Sequence, residues 1–175
     1  MNKSCVFVGG VHGSGKTQLC KKIQEKIDCV YLSASLLLKW SKKEKNVENV
    51  QENQRKLKEL LKKKMQDDKL YLIDGHFTLW NKEYKCEKIP LTFFEDLNIK
   101  CILLVVENED VIEKRLFVRN EINVLSENIV SISNVEKEYS QFVAEKLGVY
   151  FYQVNSSNEN QVNILINQME QICRA

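Results

Sequence analysis

Proline is almost missing from this chain: Pro90 is the only one in 175 residues. No stretch rich in glycine and serine acts as a linker, so composition marks no domain boundary. The length then points to a single domain, residues 1–175. No apolar run approaches the roughly 18 residues that a membrane-spanning helix needs, and no signal peptide is read at the start, so no membrane partner is expected. The six cysteines never form C-x-x-C and never cluster with histidine, which argues against a structural zinc site. Cys5 and Cys101 lie inside apolar runs, where a free thiol packs as a small hydrophobe. A reducing cytoplasm is the simplest setting for such a chain.

An excess of either charge is also lacking. Lys and Arg number 26 against 24 Asp and Glu, a net charge of +2, so no strong field draws nucleic acid or a membrane surface. The lysine runs Lys42–Lys43 and Lys62–Lys64 read as solvated helix faces, and nucleic acid is not indicated. With 43% hydrophobic and 29% charged residues, the composition is that of a soluble globular protein. Nothing in it speaks to the oligomeric state.

Glycine is scarce as well, with six residues, yet Gly9, Gly10, Gly13 and Gly15 crowd into "FVGGVHGSGKTQLCKK" at 7–22. Within it, "GVHGSGKT" (10–17) fits G-x-x-x-x-G-K-[ST], the Walker A phosphate loop. The chemistry explains the spacing. Glycines let successive N–H groups turn inward into an anion-binding concavity at the first turn of a helix. The candidates for holding the phosphates of ATP are Gly10, Val11, His12, Gly13, Ser14, Gly15, Lys16, Thr17 and Gln18. Lys16 reaches the β- and γ-phosphates and the Thr17 hydroxyl ligates Mg²⁺. His12 is a filler position whose side chain points outward.

The rest of the chain alternates. Apolar runs predict strands at 4–9, 29–33, 69–74, 100–107 and 149–155. Helical spacing predicts a helix after the loop, one starting near Ser33 or Ser35, one from about Asn49 to Asp67, a short one after Pro90, one at 108–120, one capped by Asn134, and a last one through Cys173. Residues 76–90 read either as a hairpin turning at Asn81–Lys82 or as an ordered loop, and 121–133 as irregular. Strands alternating with helices imply a parallel sheet in a three-layer α/β fold. "YLIDGH" (71–76) ends a strand on Asp74, where open α/β sheets bind ligands. Asp74 is therefore a candidate to hold Mg²⁺ with Thr17, the alternative being a turn-capping role beside Gly75.

GTPase motifs are absent: "NKEY" (81–84) lacks the aspartate of N-K-x-D, and Asp74-Gly75 is not D-x-x-G. A large ring-forming ATPase would need a longer chain, an acidic pair after the third strand and sensor arginines. On its loop, its element order and its spacings, the chain resembles the adenylate-kinase-like family of phosphate-loop nucleoside and nucleotide kinases. That resemblance implies a five-stranded parallel sheet in order 2-3-1-4-5, a helical acceptor-binding segment here at 33–68, and an arginine-bearing lid here at 115–133. It implies transfer of the γ-phosphate of Mg-ATP to a small acceptor, a nucleotide or nucleoside.

The resemblance also suggests roles. Arg115 and Arg119, two of only four arginines, sit at i and i+4 in "KRLFVR" and are similar to the family's lid R-x-x-x-R, which neutralises the transferring phosphoryl group. The alternative is a surface pair facing Glu113 and Glu121. Arg55 either binds an acceptor phosphate or stays solvated among Lys56, Lys58 and Lys62. Asn53 and Gln54 are candidates to read a base or sugar hydroxyl, and Gln54 sits on the apolar stripe of its helix. Ser35 stands near a loosely matching acceptor-side stretch, with an N-cap as the alternative. Asn155 and Ser156 follow the last strand, where the family packs adenine. The chain departs from adenylate kinases in reading "DGHFTLW" in place of D-G-F-P-R. His76 either contacts the acceptor or the metal's water shell, or is only a turn residue, and the lost arginine weakens the case for a monophosphate acceptor. Two other readings stay open: a slowly hydrolysing ATP switch or assembly factor, and a kinase of a non-nucleotide metabolite or a polynucleotide end.

Overall fold

The run Cys5-Val6-Phe7-Val8 contains no polar side chain, and it becomes the middle strand of the sheet. A computed structural model of the protein describes residues 4–38, 50–66, 68–80, 85–119 and 126–174. In chain order the elements are β1 (Ser4–Gly9), α1 (Lys16–Gln24), β2 (Val30–Ser33), α2 (Ala34–Leu37), α3 (Val50–Lys64), β3 (Leu70–Asp74), β4 (Thr78–Trp80), β5 (Cys86–Lys88), α4 (Leu91–Glu95), β6 (Ile99–Val106), α5 (Glu109–Val118), α6 (Ser126–Leu147), β7 (Tyr150–Asn155) and α7 (Glu159–Arg174). The main sheet is parallel throughout, ordered β2-β3-β1-β6-β7. Counted within that sheet alone, the order is the expected 2-3-1-4-5; the β4–β5 hairpin accounts for the different labels. Among the described residues no helix is long and apolar enough to cross a membrane.

Alternation along β1 builds the three layers. Cys5 and Phe7 point to one face, where Leu57 and Leu61 of α3, Phe93 and Phe94 of α4, and Tyr139 and Val143 of α6 cover them. Val6 and Val8 point to the other, beneath Leu19 and Ile23 of α1 and Val162, Leu165 and Met169 of α7. Each fully buried side chain of this kind contributes about 1.5–3 kcal/mol, so the central strand is fixed from both sides. Its carboxyl end is fixed further by an aromatic cluster. Phe7 meets Phe77 edge-on at 5.0 Å, and Phe77 stacks on Phe94 at 5.1 Å. Gly75 N–H donates to Val8 O at 3.0 Å. Together these hold the Asp74–Phe77 turn against the head of β1.

Several expectations are corrected. Residues 121–133 are not irregular throughout: α6 begins at Ser126, and Asn134 lies inside it and does not cap it. The helical stripe extends upstream, with Ile129, Glu136, Ser140 and Val143 buried at helical steps. Tyr139 and Val143 face the core, whereas Phe142 is 41% exposed beneath the Lys146 ammonium. Residues 78–88 form the hairpin alternative, pairing Thr78 with Lys88 and Trp80 with Cys86. Pro90 occupies the cap of α4 (φ −55°, ψ 138°), one position before the first helical residue expected of it. Ser33 caps α2 through Leu36 N–H at 3.5 Å. The turn at Asn81–Lys82, Tyr84, Lys42–Lys43, part of the acceptor segment (39–49) and part of the lid (120–125) lie outside the described residues.

Candidate active site

The glycine spacing has a steric cause at two positions. Gly10 has φ +143°, and a Cβ there would lie 2.4 Å from Val105 O. Gly15 has φ +97°, and a Cβ there would lie 2.3 Å from Ser156 Oγ. No side chain with a β-carbon fits either place without moving backbone or the loop after β7. Gly15 is also the N-cap of α1 and supplies no capping oxygen, and the first turn carries no acidic residue. The N–H groups that open the helix are thus left for an external anion. Ser14 Oγ is wholly buried without a hydrogen-bond partner among the described residues. These features fit the phosphates of ATP.

Lys16 is only 8% exposed. Its Nζ donates to Gly10 O at 2.7 Å and Val11 O at 3.0 Å, which holds the ammonium at the mouth of the loop. Burial pushes its pKa below that of an ordinary lysine; Asp74 and Glu136 oppose the shift, and the Arg119 charge adds to it. Thr17 Oγ1 donates to Asp74 Oδ2 at 3.2 Å. The two side chains offer only oxygen, which suits Mg²⁺. No group of three or more His, Cys, Asp and Glu among the described residues could cage a metal, and Mg²⁺ keeps several of its waters. Thr17 and Gln18 are exposed at the start of α1, as is His12. The His12 ring lies 4.3 Å from that of His76, centroid to centroid, so the filler position borders the turn after β3.

Asp74 Oδ2 has a second donor that sequence reasoning missed. Tyr31 Oη reaches it from β2 at 2.8 Å. Burial, and then the Asp74 charge, push the phenol well above its usual pKa, so it stays a donor. Only the pairing of β2 with β3 makes this contact, and no local pattern signals it.

Glu136 is the larger omission. It is 1% exposed, and Oε1 accepts from Gly10 N at 3.1 Å and Phe77 N at 2.9 Å. Its Oε2 accepts from Thr78 N at 2.7 Å and from the Thr78 hydroxyl. Burial pushes this carboxyl upward, while the Thr78 and backbone donors and Lys16 draw it down. One carboxylate on α6 thereby ties the first loop glycine to the hairpin. The available signal was its place on the apolar stripe, in register with Ile129 and Val143.

Arg115 and Arg119 part company. Arg115 Nη1 donates to Gly13 O at 2.9 Å, and its Nη2 meets Glu107 Oε2 and Ser157 Oγ, each at 3.2 Å. It is built into the wall of the phosphate loop. Burial works to raise the Glu107 carboxyl, but hydrogen bonds from Ser157, Asn108 N–H and Asn155, with the Arg115 charge, bring it below the usual carboxylate range. Arg119 is exposed at the C-terminal end of α5. Ser156 Oγ donates to Ser14 O at 2.8 Å, and Asn155 Nδ2 to Glu107 Oε1 at 3.2 Å. Both therefore border the loop.

On the other side of Asp74 a pocket of about 420 Å³, including its open mouth, lies between α2, α3 and the hairpin. Ser35, Gln54, Asp74 and His76 line it, among apolar walls that include Leu57 and Phe93. Ser35 Oγ lies 3.0 Å from Ser33 Oγ. Arg55 is not among the lining residues; it is exposed and pairs with Glu59 at 3.2 Å. Adjacent helical residues diverge, so Gln54 facing inward turns Arg55 outward. Arg119 and Arg55 are thus the sequence candidates left exposed, whereas Asp74 joins Thr17 on one side to Ser35, Gln54 and His76 of the pocket lining on the other.

A family model described as an AAA domain matches residues 9–132. The chain belongs to that family. The match takes in the phosphate loop, Asp74, Arg115 and Arg119, and leaves Glu136 and Ser156 beyond its end. The AAA-domain chain has, in its sheet order, the arrangement implied by the likeness to phosphate-loop kinases. No curated protein matches it. Solved structures match in number, 223 chains in all. One is a shikimate kinase from Acinetobacter baumannii in complex with shikimate, with a TM-score of 0.63 and 11% identity over 97% of this chain and 92% of that chain. The likeness establishes a shared phosphate-loop kinase fold.

Proposed function

We propose that the protein is an ATP-dependent phosphotransferase that uses Mg²⁺ and passes the γ-phosphate to a small acceptor, a nucleotide or a nucleoside. One observation carries this reading. Asp74 belongs at once to the phosphate loop, through Thr17 at 3.2 Å, and to the lining of the neighbouring pocket. A donor phosphate and an acceptor can therefore meet over one carboxylate. A simple hydrolase has no need of the second compartment.

In this reading Lys16 and the loop amides hold the donor phosphates, and Thr17 with Asp74 places the metal ion. A Mg²⁺ ion held by Thr17 and Asp74 would supply positive charge to offset that of the phosphates. Arg115 braces the loop through Gly13 O, and Arg119 is the cation left to close from the lid side. Asn155 and Ser156 border the base of the nucleotide. Tyr31 fixes the rotamer of Asp74, and Glu136 fixes the loop against the hairpin. Catalysis is then positioning and charge stabilisation, with no covalent intermediate. A cytoplasmic setting, where Mg-ATP is at hand, goes with this reading.

A second reading, a kinase of a non-nucleotide metabolite, is favoured by the shared fold with a shikimate kinase and by the departure of Arg55 from the pocket. Labelled ATP and a panel of nucleotides, nucleosides and small metabolites decide between them. Label appearing on an acceptor supports transfer; label released only as phosphate, whatever is added, sinks it.

A further inference from the structure

The pocket beside Asp74 combines three features. Its walls are largely apolar, with Phe7, Leu57 and Phe93 among them. Among the described residues that line it, none is a lysine or an arginine, and Asp74 is the one carboxylate. Gln54 is 5% exposed, and its Oε1 is buried with no hydrogen-bond partner among the described residues. A carboxamide oxygen left so in a folded protein carries its desolvation penalty uncompensated. It sits on the inner face of α3, where an aliphatic side chain would pack without that cost. Buried polar atoms without partners are rare, and a ligand is one of the few things that accounts for one.

We infer that the acceptor is uncharged: a hydroxyl-bearing molecule with an apolar face, recognised by Gln54. This rests on the phosphotransferase reading and narrows it. A phosphate monoester carries about −1.5 to −2 charge at pH 7. Placed here its charge would face apolar walls with no lysine or arginine among the described lining residues, and a fully ionised phosphate has no hydrogen to donate to Gln54 Oε1. A hydroxyl or an N–H of a neutral molecule satisfies that oxygen, and the apolar walls take its body. A second hydroxyl, at the Asp74 end, is the nucleophile. Its oxygen forms a bond to the γ-phosphorus as the bond to the β,γ-bridging oxygen breaks. ADP leaves with that electron pair, and the hydroxyl proton passes to Asp74.

The test uses the full chain, labelled Mg-ATP, and matched pairs: a nucleoside with its 5′-monophosphate, and a polyol with its phosphate. Label on the neutral member of a pair, in excess of the phosphorylated one, is the expected result. Preference for the phosphorylated member overturns this inference and leaves the transferase reading standing. Transfer to no member of any pair overturns both. Gln54→Leu should raise the acceptor KM about tenfold or more and leave kcat within about threefold. Its melting temperature without acceptor should hold or rise, since it removes an unpaired polar atom. A Gln54→Leu protein that is less stable, with the acceptor KM unchanged, shows a structural glutamine and refutes the assignment. Arg55→Ala should leave the acceptor KM within about twofold; a large rise would show that a charged group is being read.

Discussion

Lys16 shows how one side chain can serve a site at the expense of the fold. Its ammonium is buried between two loop carbonyls, and burial disfavours the charged form. Lys16→Met should therefore melt no lower than wild type, yet lose about a hundredfold or more in kcat/KM for Mg-ATP. The sign of the pH effect follows. A lysine whose pKa is lower in the folded state than its ordinary 10.5 carries its penalty while protonated. Wild-type stability relative to Lys16→Met should then rise with pH between the lowered value and 10.5, measured by urea melts at pH 7 and above. A fall would contradict the burial argument. Glu107 behaves in the opposite sense. Its carboxyl is held below 4.5, so its contribution is present above that pH and is lost as acid protonates it. Glu107→Gln should flatten the acid limb of the stability curve, and it should also loosen Arg115 from the loop.

At the level of elements, α6 matters because Glu136 binds three backbone N–H groups from two other segments. Glu136→Ala leaves all three buried and unpaired, and should cost at least about 3 kcal/mol in a denaturant melt. A cost under about 1 kcal/mol would mean that water replaces the carboxylate. The same helix marks what could be read in the chain beforehand. The phosphate loop was legible because its glycines answer to backbone geometry, which leaves its mark in residue type. Asp74 was legible because an apolar strand stops on it. Gln54 stood out as polar on an apolar stripe. Glu136 occupies the same kind of position on α6, buried in register with Ile129 and Val143. Tyr31 acts through a strand neighbour distant in sequence, and no window along the chain contains both partners. Arg55 stood open between pocket and solvent because one helical step of about 100° separates a pocket residue from a solvated one.

For the molecule as a whole, binding should be visible as stability. Mg-ATP at a hundredfold excess over its dissociation constant should add about 2.7 kcal/mol, a rise of roughly 5–10 °C in melting temperature for a chain of this size. Chelating the metal should remove most of that rise, and Lys16→Met all of it. An equal shift with and without Mg²⁺ would dismiss the Thr17–Asp74 site. The contact of Ser156 Oγ with Ser14 O bears on how such a protein is made. It spans 142 positions, so the grip on phosphate, begun beside β1, has no far wall until β7 emerges from the ribosome. Nascent chains stalled before residue 150 should fail to retain labelled ATP, and competence should arrive late and abruptly.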